Sequence, residues 1–331
     1  FLMKKTKKLL ACLIAAATMF TMGSTAFAET ETAPTDQSTV TIKKAYKLTN
    51  DKTTSPAETF TLEQTASRVV DGEAKSVPAL VAINGATFEK GEATFQGAKK
   101  GITVTLPKYT KVGVYEYTLK ETAGTTAGVN YYGNDIKLVV TVINDDNGNL
   151  RIAAVHTEGK DEDKNDTFTN TYSAGKLNIT KTVDGNLGDK NKKFHFTVTL
   201  EKPTNEEVKS DITATVAGVN NGILDLDWKS GSCTYEFDLA DGETASLDNI
   251  PYDVKYTVAE NDYTANGYTT EKTGDTGSVN EAEQTAAFTN TKTGEIDTGV
   301  NLTTLPYILV FAGVIVIAGA AFITRRRKYE D

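Results

Sequence analysis

The sequence has 331 residues with 35 basic and 44 acidic side chains, and its net charge of −9 argues against nucleic-acid binding. That length allows two or three domains, and frequent Thr, β-branched and aromatic residues beside 7 Pro and 3 Met suit an all-β protein better than a helical one. Cys12 and Cys233 are the two cysteines, so removing a leader that contains Cys12 excludes an internal disulfide. An exported protein of this kind must find covalent stabilisation elsewhere or do without it.

Met3 is read as the start. Lys4, Lys5, Lys7 and Lys8 form a basic n-region, Leu9 to Met22 an apolar h-region, and Ala26-Phe27-Ala28 an A-x-A cleavage site. Residues 1–28 are therefore expected to be a signal peptide. Leu9-Leu10-Ala11-Cys12 superficially suggests a lipoprotein signal, but it comes too early in the apolar stretch. Residues 29–38 are polar and read as a flexible lead-in.

From residue 39 the spacing predicts strands. Side chains alternate between the two faces of a strand, so residues of one parity share a face. Val40, Ile42, Lys44, Tyr46 and Leu48 share one, with a lysine inside an apolar row. Phe60 and Leu62 mark a second strand, and Ile102, Val104 and Leu106 a third. Tyr115, Tyr117, Leu119 and Glu121 form a face that ends in an acid. Ile136–Ile143 and Leu150–Val155 predict a hairpin; its acidic turn, 144–148, lacks EF-hand spacing and contains the Asn147-Gly148 turn signal. Phe168, Asn170 and Tyr172 close a first sandwich over residues 39–173. Ser173, Ala174 and Gly175 read as a three-residue hinge.

A second unit, residues 174–292, repeats this order. Leu177, Ile179, Lys181 and Val183 share a face; Phe194, Phe196 and Val198 follow; Val254, Tyr256, Val258 and Glu260 again end in a glutamate; Phe288 and Asn290 close it. Short strands and an internal duplication predict an all-β fold of two tandem β-sandwiches. Residues 293–331 differ. Glu295-Ile296-Asp297-Thr298-Gly299 precedes an apolar run over 305–323, matching the roughly 20 residues of a membrane span. Arg325, Arg326, Arg327 and Lys328 then place the tail on the cytoplasmic side. A simple C-terminal anchor is one reading. The other is a cell-wall sorting signal cut by a sortase between Thr298 and Gly299.

Each unit thus places a lysine, a glutamate and an asparagine on apolar faces: Lys44, Glu121 and Asn170, then Lys181, Glu260 and Asn290. Any one of them is explained by a register error or by snorkelling. Six in the same order point to intramolecular Lys–Asn isopeptide formation. Burial disfavours charge, lowering a lysine pKa and raising a glutamate pKa. The neutral amine is then a nucleophile, and a protonated glutamate is expected to hydrogen-bond and polarise the asparagine carbonyl while shuttling protons. Proximity supplies most of the rate, and no cofactor is needed. The reaction consumes both partners, so each unit reacts once and is not a turnover enzyme. Joining first to last strand also routes pulling force along covalent bonds.

These motifs resemble those of the major (backbone) pilins of Gram-positive bacteria, specifically the two-domain, FctA-like streptococcal type. The resemblance rests on Lys44 with Phe168-Thr169-Asn170, Lys181 with Phe288-Thr289-Asn290, Glu121 ending GVYEYTLKE and Glu260 ending VKYTVAE. It implies Ig-like, CnaB-type sandwiches and a subunit polymerised covalently by a pilin-type sortase into a surface pilus (fimbrium), which a housekeeping sortase attaches to peptidoglycan. Minor tip or base pilins are implied as further partners. The sorting pentapeptide departs from Leu-Pro-any-Thr-Gly by lacking proline. No Tyr-Pro-Lys motif marks the acceptor lysine. In relatives of this type the acceptor precedes the first closing asparagine, which favours Lys164, with Lys160 second; an ordinary solvated loop explains either equally well. A monomeric, sortase-anchored adhesin or stalk protein remains the alternative. His156 and His195 lack metal-ligand spacing, and Cys233 lacks a catalytic partner.

Overall fold

The computed structural model describes residues 37–160 and 164–295. The leader, most of the lead-in, Thr298, Gly299 and the apolar run over 305–323 lie outside the described residues. Among the described residues no helix is long and apolar enough to cross a membrane.

The N-terminal domain contains β1 (Thr39–Leu48), β2 (Glu58–Phe60), β3 (Leu62–Gly72), β4 (Ala82–Ile83), β5 (Ala86–Phe88) and β6 (Ala98–Thr105). It continues with β7 (Gly113–Glu121), β8 (Val129–Asn130), β9 (Ile136–Asn144), β10 (Leu150–Glu158) and β11 (Thr167–Tyr172). One sheet runs β4-β6-β1-β11-β8 and the facing sheet β10-β9-β7-β3, with β2 and β5 paired alongside. Apolar residues of alternate parity meet between the sheets, including Ile42, Tyr46, Val104 and Phe168 from one and Tyr117, Leu119, Leu138 and Val140 from the other. The expected strand at Phe60 and Leu62 is two strands parted at Thr61. The acidic turn is a hairpin turn, in which the Asp145 carboxylate accepts from the backbone N–H of Asn147 (2.9 Å) and Asn149 (2.7 Å).

The C-terminal domain contains β12 (Ala174–Asp184), β13 (Phe194–Glu201), β14 (Thr213–Val216), β15 (Val219–Ile223) and β16 (Ser232–Leu239). Then come β17 (Thr244–Pro251), β18 (Lys255–Glu260), β19 (Thr269–Thr273), β20 (Thr276–Ser278) and β21 (Glu283–Thr291). Its sheets run β15-β14-β17-β12-β21-β19 and β16-β13-β18-β20. Both domains are Ig-like sandwiches in which the first and last long strands lie side by side and parallel, β1 on β11 and β12 on β21.

The joint is tighter than a hinge. Only Ser173 separates β11 from β12; Ala174 and Gly175 are buried and paired with Pro251 and Ile250 of β17. A Cβ on Gly175 would lie 2.2 Å from the Glu281 carbonyl oxygen, so the small residue serves close packing. Buried Asn249, held at a φ of 64°, clamps across the joint. Its side-chain oxygen accepts from Thr54 N–H (3.1 Å), while its Nδ2 donates to the carbonyls of Thr54 (3.0 Å) and Asp211 (3.0 Å). Thr126 and Glu207 add a short parallel bridge.

Candidate functional site

The parallel pairing of β1 with β11 sets Lys44 beside Phe168 and Tyr46 beside Asn170. Lys44 and Asn170 are thus diagonal neighbours on the inner face, two residues apart in register, within reach of a long side chain. β12 and β21 repeat the offset, with Lys181 beside Phe288 and Val183 beside Asn290. Each glutamate comes from the opposite sheet, as the last residue of β7 or β18. The two layers of each sandwich therefore bring together the three residues that the sequence places on apolar faces.

In the N-terminal domain, Lys44, Glu121 and Asn170 are all at least 95% buried. Lys44 Nζ is 2.6 Å from Asn170 Oδ1 and forms an ion pair with Glu121 Oε2, while Asn170 Nδ2 donates to Glu121 Oε1. The Phe60 and Tyr132 rings flank the ammonium, with centroids 5.1 and 5.8 Å from Nζ. Burial among them pushes the Lys44 pKa below its ordinary value, against the opposing pull of Glu121. The glutamate contacts the asparagine through Nδ2, not through the carbonyl as the sequence reading expected. The carbonyl oxygen instead accepts from the backbone N–H of Tyr132 at 2.8 Å. No sequence pattern marks that donor, because it is a main-chain group just past a two-residue strand.

In the C-terminal domain, Lys181 Nζ lies 2.8 Å from Glu260 Oε1, and Asn290 Nδ2 donates to the same oxygen at 3.1 Å. Lys181 and Asn290 are buried, and the Glu260 side chain is almost fully enclosed. Lys181 Nζ sits 4.1 Å from the centroid of the Phe194 ring and lacks the geometry of a directed hydrogen bond. Burial again holds the lysine below its ordinary pKa, with Glu260 opposing. The Thr270 hydroxyl reaches Glu260 Oε2 at 3.4 Å.

The remaining candidates fall outside these clusters. Lys160 and Lys164 are exposed, and the Lys164 backbone bridges to Glu158 at the end of β10. His156 pairs with Glu158 and His195 with Asp238, each at 2.9 Å. Among the described residues no group of three His, Cys, Asp or Glu side chains is placed to hold a metal. Cys233 is buried on β16, which pushes its thiol up to about 11 and keeps it unreactive.

Comparison with known proteins gives these constellations a context. Residues 30–173 match the FctA family model, described as a Spy0128-like isopeptide containing domain, and residues 175–292 match a domain family of unknown function, DUF7601. A curated protein named "Pilin", from Streptococcus pyogenes serotype M1, is 29% identical over 262 residues, which span 73% of this chain and 72% of that protein. The fold is similar to the crystal structure of a major pilin from Streptococcus pyogenes, with a TM-score of 0.54 and 24% identity over 78% of this chain and 100% of that one. A second major pilin of that species, T3.2, gives a TM-score of 0.53 and 20% identity over 78% of this chain and 99% of its own. Residues 30–173 are thus similar to Spy0128-like isopeptide containing domains, and across both sandwiches the chain resembles a curated streptococcal pilin in sequence and Streptococcus pyogenes major pilins in fold.

Proposed function

We propose that this chain is the structural subunit of a cell-surface pilus shaft, and that each sandwich is closed by an autocatalytic isopeptide bond, Lys44–Asn170 and Lys181–Asn290. The observation that carries the reading is the buried contact of Lys44 Nζ with the Asn170 side-chain amide under the Glu121 carboxylate. Glu121 takes a proton from Lys44, and the neutral Nζ attacks Asn170 Cγ. The negative charge moves to Oδ1. Glu121 then protonates Nδ2 and accepts the proton that Nζ sheds, so that the Cγ–Nδ2 bond breaks and ammonia leaves. One amide replaces another, with no oxidant and no cofactor. Glu260 does the same between Lys181 and Asn290.

Polymerisation is a separate step. A pilin-type sortase cleaves between Thr298 and Gly299 and passes the Thr298 acyl group to a lysine of a second copy. Lys164 is the first choice and Lys160 the second, supported by their exposure beside β10. A housekeeping sortase attaches the finished polymer to peptidoglycan, and minor tip or base pilins complete it.

The test is the intact mass of residues 29–298, expressed without sortase, with tandem mass spectra of proteolytic fragments. A deficit of one ammonia per domain, with the two lysine–asparagine pairs joined, is expected. A correctly folded protein of unmodified mass would refute the isopeptide reading. Sortase treatment that yields no ladder would favour a monomeric surface adhesin.

A further inference from the structure

The two sites are not chemically equivalent. In the N-terminal domain Asn170 Oδ1 receives the Tyr132 backbone N–H at 2.8 Å. In the C-terminal domain Asn290 Oδ1 is buried and has no hydrogen-bond partner among the described residues.

The strand topology explains the difference. β8 pairs with β11 over only Asn130 and Val129, opposite Thr171 and Tyr172, and then leaves the ladder. The N–H of Tyr132, two residues on, is released from strand pairing and points at the asparagine side chain. The counterpart neighbour, β19, stays paired with β21 through five residues, with Thr270 opposite Asn290. There the main chain beside the asparagine is committed to the ladder.

Resting on the isopeptide reading above, we infer that the Tyr132 backbone N–H is a catalytic oxyanion donor of the N-terminal site, and that the Lys44–Asn170 bond forms faster than Lys181–Asn290. As Nζ bonds to Cγ, negative charge collects on Oδ1, where this preorganised donor already sits in a buried, low-dielectric site. It stabilises that charge until Nδ2 departs as ammonia. Removing one such donor from an enzyme costs roughly 100- to 1,000-fold in rate.

The experiment is timed cell-free synthesis of the full chain, quenched in acidic denaturant, with each cross-linked peptide pair quantified by mass spectrometry. In the unmodified chain, Lys44–Asn170 is expected to appear first. Tyr132→Pro, or an ester linkage in place of the amide at position 132, removes the N–H and is expected to slow that bond by about 100-fold or more. Lys181–Asn290 should keep its pace, and Tyr132→Phe, which retains the N–H, should change neither. The ester form guards against a proline variant that fails to fold, with folding checked by hydrogen exchange. An ester chain that folds and closes its N-terminal bond at the original rate overturns the inference, as does an unmodified chain that closes the C-terminal bond first. Absence of both bonds from the unmodified chain refutes the underlying chemistry instead.

Discussion

Asn170→Ala removes the acceptor of the proposed N-terminal cross-link while leaving the Lys44–Glu121 ion pair in place. Lys44 and Asn170 are 126 positions apart, so the proposed bond would close most of the domain into a ring. By the loop-entropy relation for covalent cross-links, a ring of that size stabilises the fold by about 5 kcal/mol at room temperature. The lost bond from Tyr132 N–H adds about 1 kcal/mol. For a domain of this size each kcal/mol shifts the melting temperature by roughly 3 °C, so the N-terminal transition should fall by roughly 15–20 °C. Scanning calorimetry of residues 29–298, with intact mass measured on the same sample, checks this. The C-terminal transition should move by no more than a few degrees. An N-terminal transition that moves by less than about 5 °C, well under the entropic contribution alone, would refute the cross-link as the source of stability.

Further outcomes are expected from the same geometry. Glu121→Ala and Glu260→Ala should each restore the missing ammonia in its own domain only, read by peptide mass mapping; loss of both bonds from either substitution would contradict two independent sites. In the uncross-linked Asn170→Ala chain, burial holds the Lys44 pKa below its ordinary 10.5, so the unfolded state binds more protons between those values. Stability contributed by Lys44 should therefore rise with pH through that window, by up to about 1.4 kcal/mol per pH unit. Urea unfolding of this chain against Asn170→Ala with Lys44→Met isolates the slope from the buried tyrosines, and an equal pH dependence in the two would contradict it. Asn249→Ala should cost about 2–4 kcal/mol, from three lost hydrogen bonds and an unfavourable φ of 64°, and should part the two calorimetric transitions. Finally, Lys164→Arg should abolish sortase-built ladders while leaving both internal cross-links intact; ladders that persist and disappear only with Lys160→Arg would move the acceptor.

Strand parity made the clusters legible. A lysine on the Ile42–Leu48 face and an asparagine between Phe168 and Tyr172 have no inward reading except as partners, and a period of two leaves little freedom in register. What parity does not encode is the main chain. The Tyr132 donor depends on where β8 leaves its ladder, and that is set by pairing across the sheet. β15 escapes the parity argument because Val219–Ile223 alternates weakly and lies exposed at a sheet edge. The supposed hinge shows the opposite error: small residues suggested flexibility, whereas Ala174 and Gly175 are small because Pro251, Ile250 and the Glu281 carbonyl press against them.

The parallel placement of first and last strands also bears on survival outside the cell. The proposed bonds, Lys44–Asn170 and Lys181–Asn290, would make residues 45–169 and 182–289 closed rings. A protease that nicks an exposed turn inside either ring, such as Asn144–Gly148 or Ala217–Asn221, leaves the two ends of the chain connected through the cross-link. Between the rings the backbone is single only over residues 171–180. That stretch is the end of β11, Ser173 and most of β12, and none of its residues is exposed. A fibre built from such subunits keeps its continuity after one such cut in each ring.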